Sequence, residues 1–167
     1  MVDHIHEQSL VGRWVLITGA AKRIGATIAT KLHGEGANIA IHYFASADAA
    51  EALAKKLNAE RSNSAITVQG DLRNITNLER MAQEVINQTD GLYALINNAS
   101  SFYPTPLGDI TEEQWDDLIG SNLKAPLFLS QALLPHLRKT MGIIINIVDV
   151  HSQRPLRNHP IYGSAKA

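Results

Sequence analysis

Tyr162 and Lys166 stand four positions apart in the run Tyr162-Gly163-Ser164-Ala165-Lys166. On a helix this spacing puts a phenol and an ammonium on one face. A cation so placed stabilises phenolate, lowers the tyrosine pKa and makes the phenol an acid usable near neutrality. A lone Tyr-x-x-x-Lys pair is common and equally at home on a surface. Its weight here comes from its position, one loop after an apolar strand in a chain that also carries a glycine turn.

That turn is Thr18-Gly19-Ala20-Ala21-Lys22-Arg23-Ile24-Gly25. Where a strand turns tightly into a helix, free backbone N–H groups and the positive dipole end face a diphosphate. Gly19 lets the chain turn, and Gly25 lets the helix pack close to the sheet. Lys22 and Arg23 add two cations, which sit badly against a helix N-terminus unless an anion is bound; the alternative is a solvated pair. At the end of the second strand, His42-Tyr43-Phe44-Ala45-Ser46 offers no carboxylate before Asp48. An acidic residue there would hold a ribose 2′-hydroxyl and repel a 2′-phosphate. Its absence favours NADPH over NADH, with Ser46 either donating to the phosphate or capping the following helix, two compatible roles.

The elements that must position these groups alternate strictly. Strands are expected at Trp14 to Thr18, Asn38 to Tyr43, Ala65 to Gln69, Tyr93 to Asn97 and Ile143 to Val148, the last nearly all apolar, as in a strand buried on both faces. Helices are expected at Ile24 to Glu35, Ala47 to Arg61 and about Ile75 to Gln88. A longer one should start at the capping box Thr111-Glu112-Glu113-Gln114 and run to about Lys139, bent or broken at Pro126 and Pro135. Strand and helix in strict turn mean an α/β, doubly wound parallel sheet with helices on both sides, and strand order 3-2-1-4-5.

Bulk properties narrow the class. The 167 residues suffice for one buried core and are few for two. With a formal charge of −1 there is no electrostatic reason to expect nucleic acid or an anionic membrane. The absence of cysteine excludes disulfides and thiolate metal sites and fits a reducing, cytoplasmic setting. Met1 to Leu10 is polar, without the apolar core of a signal peptide, and no run approaches a membrane span. The histidines, among them His4, His6, His151 and His159, show no metal-ligand spacing, so no metal is expected.

Taken in order, Thr18-Gly19 with Gly25, Asn97-Asn98-Ala99, Asn122 and Tyr162 with Lys166 resemble the short-chain dehydrogenase/reductase family over essentially the whole chain. The resemblance implies a Rossmann-type fold and a proton relay from Tyr162 through Lys166 toward Asn122. It places Asp71 and Leu72 beside the adenine and Asn98, Ala99 and Ser100 along the cofactor, with Gly19, Lys22, Arg23, Ile24, Tyr43, Phe44, Ser46, Tyr162 and Lys166 completing that site. Read without the resemblance, Asp71 is a strand-to-helix cap and Asn122 a polar kink. The family usually has serine thirteen residues before the tyrosine, whereas this chain has Asp149. An ionised carboxylate can only accept a hydrogen bond. Asp149 therefore suits orienting Tyr162 and feeding it protons for a ring nitrogen, and so C=N rather than C=O substrates; the alternative is a strand-end cap.

Asp149 is also the variation found in the pteridine reductases of that family. They are further resembled in Thr18 to Arg23, in Leu57-Asn58-Ala59 with Asn63 to Gln69, and in Asn98 to Leu107. What this implies is NADPH-dependent reduction of biopterin, folate and their dihydro forms. Phe102 would stack on the pterin, Arg23 and Ser100 would bond ligand or cofactor phosphate, and Asp149 and Tyr162 would meet the substrate. A flat heteroaromatic ring does call for an aromatic face and a few fixed polar groups, although Phe102 also reads as ordinary loop packing. One departure stands out: Phe44-Ala45-Ser46 replaces the His-Arg-Ser of those enzymes, so selectivity for the 2′-phosphate would rest on Lys22 and Ser46. Family members continue past the tyrosine helix with further strands and a substrate loop. Residues 1-167 thus read as a single NADP-binding domain lacking its C-terminal part, a homotetramer when full length.

Overall fold

The computed structural model describes residues 10–167; the expectations for the polar N-terminus, His4 and His6 included, lie outside them. Its elements follow one another as β1 (Trp14–Ile17), α1 (Arg23–Gly34), β2 (Asn38–Tyr43), α2 (Ala47–Glu60), β3 (Ala65–Gln69), α3 (Ile75–Gln88), β4 (Leu92–Asn97), α4 (Glu112–Ile119), a π turn (Gly120–Lys124), α5 (Ala125–Lys139), β5 (Ile143–Asn146) and α6 (Pro160–Lys166). The strands form one parallel sheet in the order β3-β2-β1-β4-β5, as expected.

Strand alternation divides the core. From β1, Leu16 points into one layer with Leu95, Leu78, Met81, Val85, Leu129 and Leu133. Val15 and Ile17 point into the other, with Ile39, Ile41, Ala29 and Leu57. Helices α3 and α5 therefore cover one face, and α1 and α2 the other. On α3 the buried residues Leu78, Met81, Ala82 and Val85 recur at the spacing of one helical stripe. Truncating a fully buried leucine such as Leu129 to alanine would cost about 2–5 kcal/mol.

Two expectations are corrected. The last strand is not buried on both faces: β5 pairs only with β4, and Ile143, Ile144 and Ile145 are 44%, 38% and 40% exposed. It is the edge strand of the described sheet. The long helix from Thr111 is also interrupted. The capping box forms as expected, but α4 ends at Ile119 and the chain makes a π turn before α5. Pro126, at the start of α5, has no N–H to give a carbonyl four residues back, and its ring crowds that carbonyl. The strain is taken up one residue earlier, where Ala125 N–H bonds to Gly120 five positions back. Pro135 breaks nothing, since α5 continues through it to Lys139.

Candidate active site

The site lies at the carboxyl ends of the strands, where the connections leaving the paired strands β1 and β4 run to opposite faces of the sheet, as expected of an open α/β sheet. The Gly19 turn is tightly built. Gly19 has φ +62°, and a Cβ there would come within 3.0 Å of Ala99 Cα. A Cβ on Gly25 would lie 2.3 Å from the Gly19 carbonyl oxygen. Thr18 Oγ1 accepts the amides of Asn98 and Ala99 at 2.9 and 3.0 Å, and Asn98 Nδ2 donates to the Thr18 carbonyl at 2.8 Å. The ends of β1 and β4 are thereby locked into one rim.

Along this rim runs a cleft of about 710 Å³. Gly19, Lys22, Arg23, Ile24 and Gly25 form its phosphate end, where the first amides of α1 have no intrahelical partner. Phe44, Ser46, Asp71 and Leu72 line the other end, and Asn98, Ala99 and Ser100 the floor. Nearly every residue expected around a dinucleotide is thus gathered in one groove; Tyr43, which packs into the core, and Tyr162 and Lys166 do not line it. The side chain of Ser46 makes no capping bond to α2, so of its two readings only the free hydroxyl stands. Arg23 occupies its place at φ +51°, a left-handed conformation that glycine adopts freely.

The chemistry sits beside the cleft. Tyr162, on α6 and 4% exposed, donates its phenolic hydrogen to Asp149 Oδ2 at 2.7 Å. Asp149 Oδ1 accepts the His151 amide at 3.0 Å, so the carboxylate caps the short turn Val150–Ser152 with one oxygen and holds the tyrosine with the other. The His151 amide, then the Tyr162 hydroxyl, keep the Asp149 pKa below the ordinary carboxylate value. Asp149 is thus a carboxylate that accepts a hydrogen bond from Tyr162, which keeps its proton. Burial, then the bond to Asp149, push Tyr162 up to about 12, with the Ser100 hydroxyl acting in the opposite sense. This corrects the expected lowering by Lys166. The lysine Nζ lies 5.8 Å from the centre of the tyrosine ring and donates to the Ile147 carbonyl at 3.2 Å. Burial lowers its own pKa.

Asn122 sits in the π turn, where its Nδ2 donates to the carbonyls of Leu118 and Ser101, both at 2.9 Å. Its Oδ1 accepts from Ser100 Oγ at 2.7 Å. The described link from Asn122 thus runs to Ser100 rather than to Lys166. Phe102 is 54% exposed and meets the Tyr162 ring edge-on at 4.8 Å. It is also stacked on His159 at 4.8 Å.

Three residues were missed in the sequence. His159 was dismissed with the other histidines, although it lies one helical turn before Tyr162 and so on the same side of the chain. Arg73 lines the far end of the cleft, holds Asp71 through backbone and guanidinium at 2.9–3.0 Å, reaches Asp117 on α4 at 3.3 Å and lies over the Phe44 ring. The Asp71 carboxylate is lowered chiefly by that guanidinium. His42 is buried beneath the Gly19 turn. It too left a signal, being a polar residue within an apolar run at a strand end.

A parallel 3-2-1-4-5 sheet, a glycine turn between β1 and α1, and a Tyr162–Lys166 helix define a class, and the model of the short chain dehydrogenase family matches residues 13–167. The chain belongs to that family. It is 39% identical to Pteridine reductase 1 of Leishmania tarentolae, over 90% of this chain and 65% of the relative. It is 35% identical to the 3-oxoacyl-acyl-carrier-protein reductase FabG of Staphylococcus epidermidis, over 81% and 55%. A Rhizobium meliloti protein named Probable galactose dehydrogenase GalD is 32% identical, over 93% and 60%. The chain thus spans between about half and two thirds of the length of these relatives. Among the described residues no helix is long and apolar enough to cross a membrane, and no group of three or more metal-ligating side chains gathers.

Proposed function

We propose that the protein is an NADPH-dependent reductase of pteridines, acting on biopterin, folate and their dihydro forms in the cytoplasm, as a homotetramer. The observation that carries this is the Tyr162 hydroxyl held by the Asp149 carboxylate at 2.7 Å where the family usually has serine. A serine hydroxyl beside the tyrosine gives a carbonyl oxygen two donors, whereas here one donor and one acceptor face the substrate. A pteridine edge, with ring nitrogen and amino or N–H groups side by side, matches that pair. The 39% identity to a pteridine reductase supports the same reading.

The cleft suits a nicotinamide dinucleotide in shape and charge: two glycines whose Cβ atoms would not fit, amides at a helix start, and Lys22 and Arg23 at its phosphate end. When bound, NADPH supplies the hydride. Lys22, Arg23 and Ser46 would hold its phosphates, Asp71 and Leu72 its adenine end. Tyr162, protonated throughout the neutral range, donates the proton to a ring nitrogen, and Lys166 is the nearby cation that offsets the phenolate left behind. Phe102, backed by His159, would stack on the pterin, and Ser100, anchored by Asn122, keeps an acceptor toward the site.

NADPH oxidation with 7,8-dihydrobiopterin and folate, compared with a 3-oxoacyl thioester, tests the reading. Turnover on the pteridines, with Asp149→Ser moving preference toward the keto substrate, is expected. Turnover on the keto substrate alone would overturn the pteridine assignment, and cofactor binding without any turnover would leave a dinucleotide-binding domain only.

A further inference from the structure

His42 is 2% exposed, and both nitrogens of its ring are engaged by backbone. Nδ1 lies 3.0 Å from the Gly19 amide, and Nε2 lies 3.1 Å from the Gly70 carbonyl oxygen. An amide can only donate and a carbonyl can only accept, so one state alone satisfies both contacts: neutral imidazole with its hydrogen on Nε2. An imidazolium would turn an N–H against the N–H of Gly19. Burial acts in the same direction, lowering the pKa of His42 to about 4.

The backbone around it repeats the link. The Ala20 amide donates to the His42 carbonyl at 2.9 Å, and the Gly70 amide donates to the Tyr43 carbonyl at 3.1 Å. The end of β2 thus holds the turn after β1 on one side and the turn after β3 on the other. These turns form opposite ends of the cleft, Gly19 at the phosphate end and Asp71, next to Gly70, at the other. Gly19 is pressed against Ala99 from above and tied to His42 from below, with little freedom left.

We infer that His42 is a positioning residue of the cofactor site, its single neutral tautomer joining the Gly19 turn to the Gly70–Asp71 turn and setting the separation of the two ends of the cleft. The inference rests on the dinucleotide reading of the cleft. It assigns the Gly19 amide to the protein, leaving the later amides of the turn and α1 for phosphate.

Long-range ¹⁵N–¹H NMR of the whole chain reads the tautomer, and NADPH fluorescence titration alongside thermal melting reads the coupling. Wild-type His42 is expected as the Nε2–H form at neutral pH. His42→Gln, which can reach Gly70 but not also accept from Gly19, should weaken NADPH binding about tenfold, the scale of one lost hydrogen bond. His42→Asn, whose side-chain oxygen replaces Nδ1, should recover most of that loss, even where both variants melt at the same lowered temperature. The inference is overturned by an Nδ1–H or protonated ring in the wild type. Equal NADPH affinity in all three proteins, with only stability changed, overturns it as well. A wild-type chain with the Nε2–H ring but no affinity for NADPH retains the strut and overturns both its cofactor role and the dinucleotide reading.

Discussion

Tyr162 keeps its proton because it is buried and because the group next to it is a carboxylate, and this is open to direct titration. Its raised pKa means that the phenol contributes stability in full below the ordinary value of 10.0, and that the contribution is lost as pH rises through about 12. Ultraviolet titration, with Tyr162→Phe as the subtraction, should show this residue ionising well above the other tyrosines. Asp149→Asn should bring it down without restoring the ordinary value, since burial, the larger cause, remains. No movement in that variant would remove Asp149 from the account. Arg23 offers a second test. Its left-handed backbone costs about 1–2 kcal/mol, and a glycine there would relieve this while losing about 0.5–1 kcal/mol to chain entropy. Arg23→Gly should therefore melt within a few degrees of wild type yet bind NADPH more weakly and with a shallower salt dependence. Unchanged affinity would mean that the guanidinium does not meet phosphate. At this scale the sequence was legible where spacing along one element decides geometry, as for Tyr162 and Lys166 on one helix. It was opaque where a partner arrives from elsewhere: Lys166 turns to Ile147, Arg73 to Asp117, and His159 to Phe102.

The element that does most for the site is the one that departs from regularity. The π turn Gly120–Lys124 directs Asn122 at both Leu118 and the loop carrying Ser100 and Ser101. Such turns within helices frequently mark functional positions. Pro126→Ala restores the missing N–H and removes the ring, so the segment can close as regular α-helix and swing Asn122 away. Turnover is expected to fall at least about tenfold with the melting temperature unchanged or raised, a split that mere loss of folding would not produce. Retained activity would show that the turn is held by packing and not by the proline. A break at Pro126 was readable from the residue itself. Its form was not, because the alternatives to α-helix depend on which carbonyls the surroundings leave to be satisfied. Pro135 carried the same local signal, yet α5 runs through it with Leu133 and Leu137 buried on either side.

Across the whole molecule, stability should fall in acid before the carboxylates titrate. His33 and His42 are both held neutral by burial, so their contribution is present above the ordinary histidine value of 6.5. For His42 it is lost as pH drops toward about 4. Melting temperatures between these limits should decline, less steeply in His42→Gln; parallel curves would put the acid sensitivity elsewhere. The sheet order was legible from the alternation of elements and the handedness of their crossovers. Strand β1, finally, lies in the middle of the sheet while coming first in the chain. During synthesis its first flank is taken by β2 after one helix, but the second waits until β4 has left the ribosome. Throughout that interval the nascent protein displays the open side of its most buried strand, so its chaperone demand should fall once Asn97 has emerged.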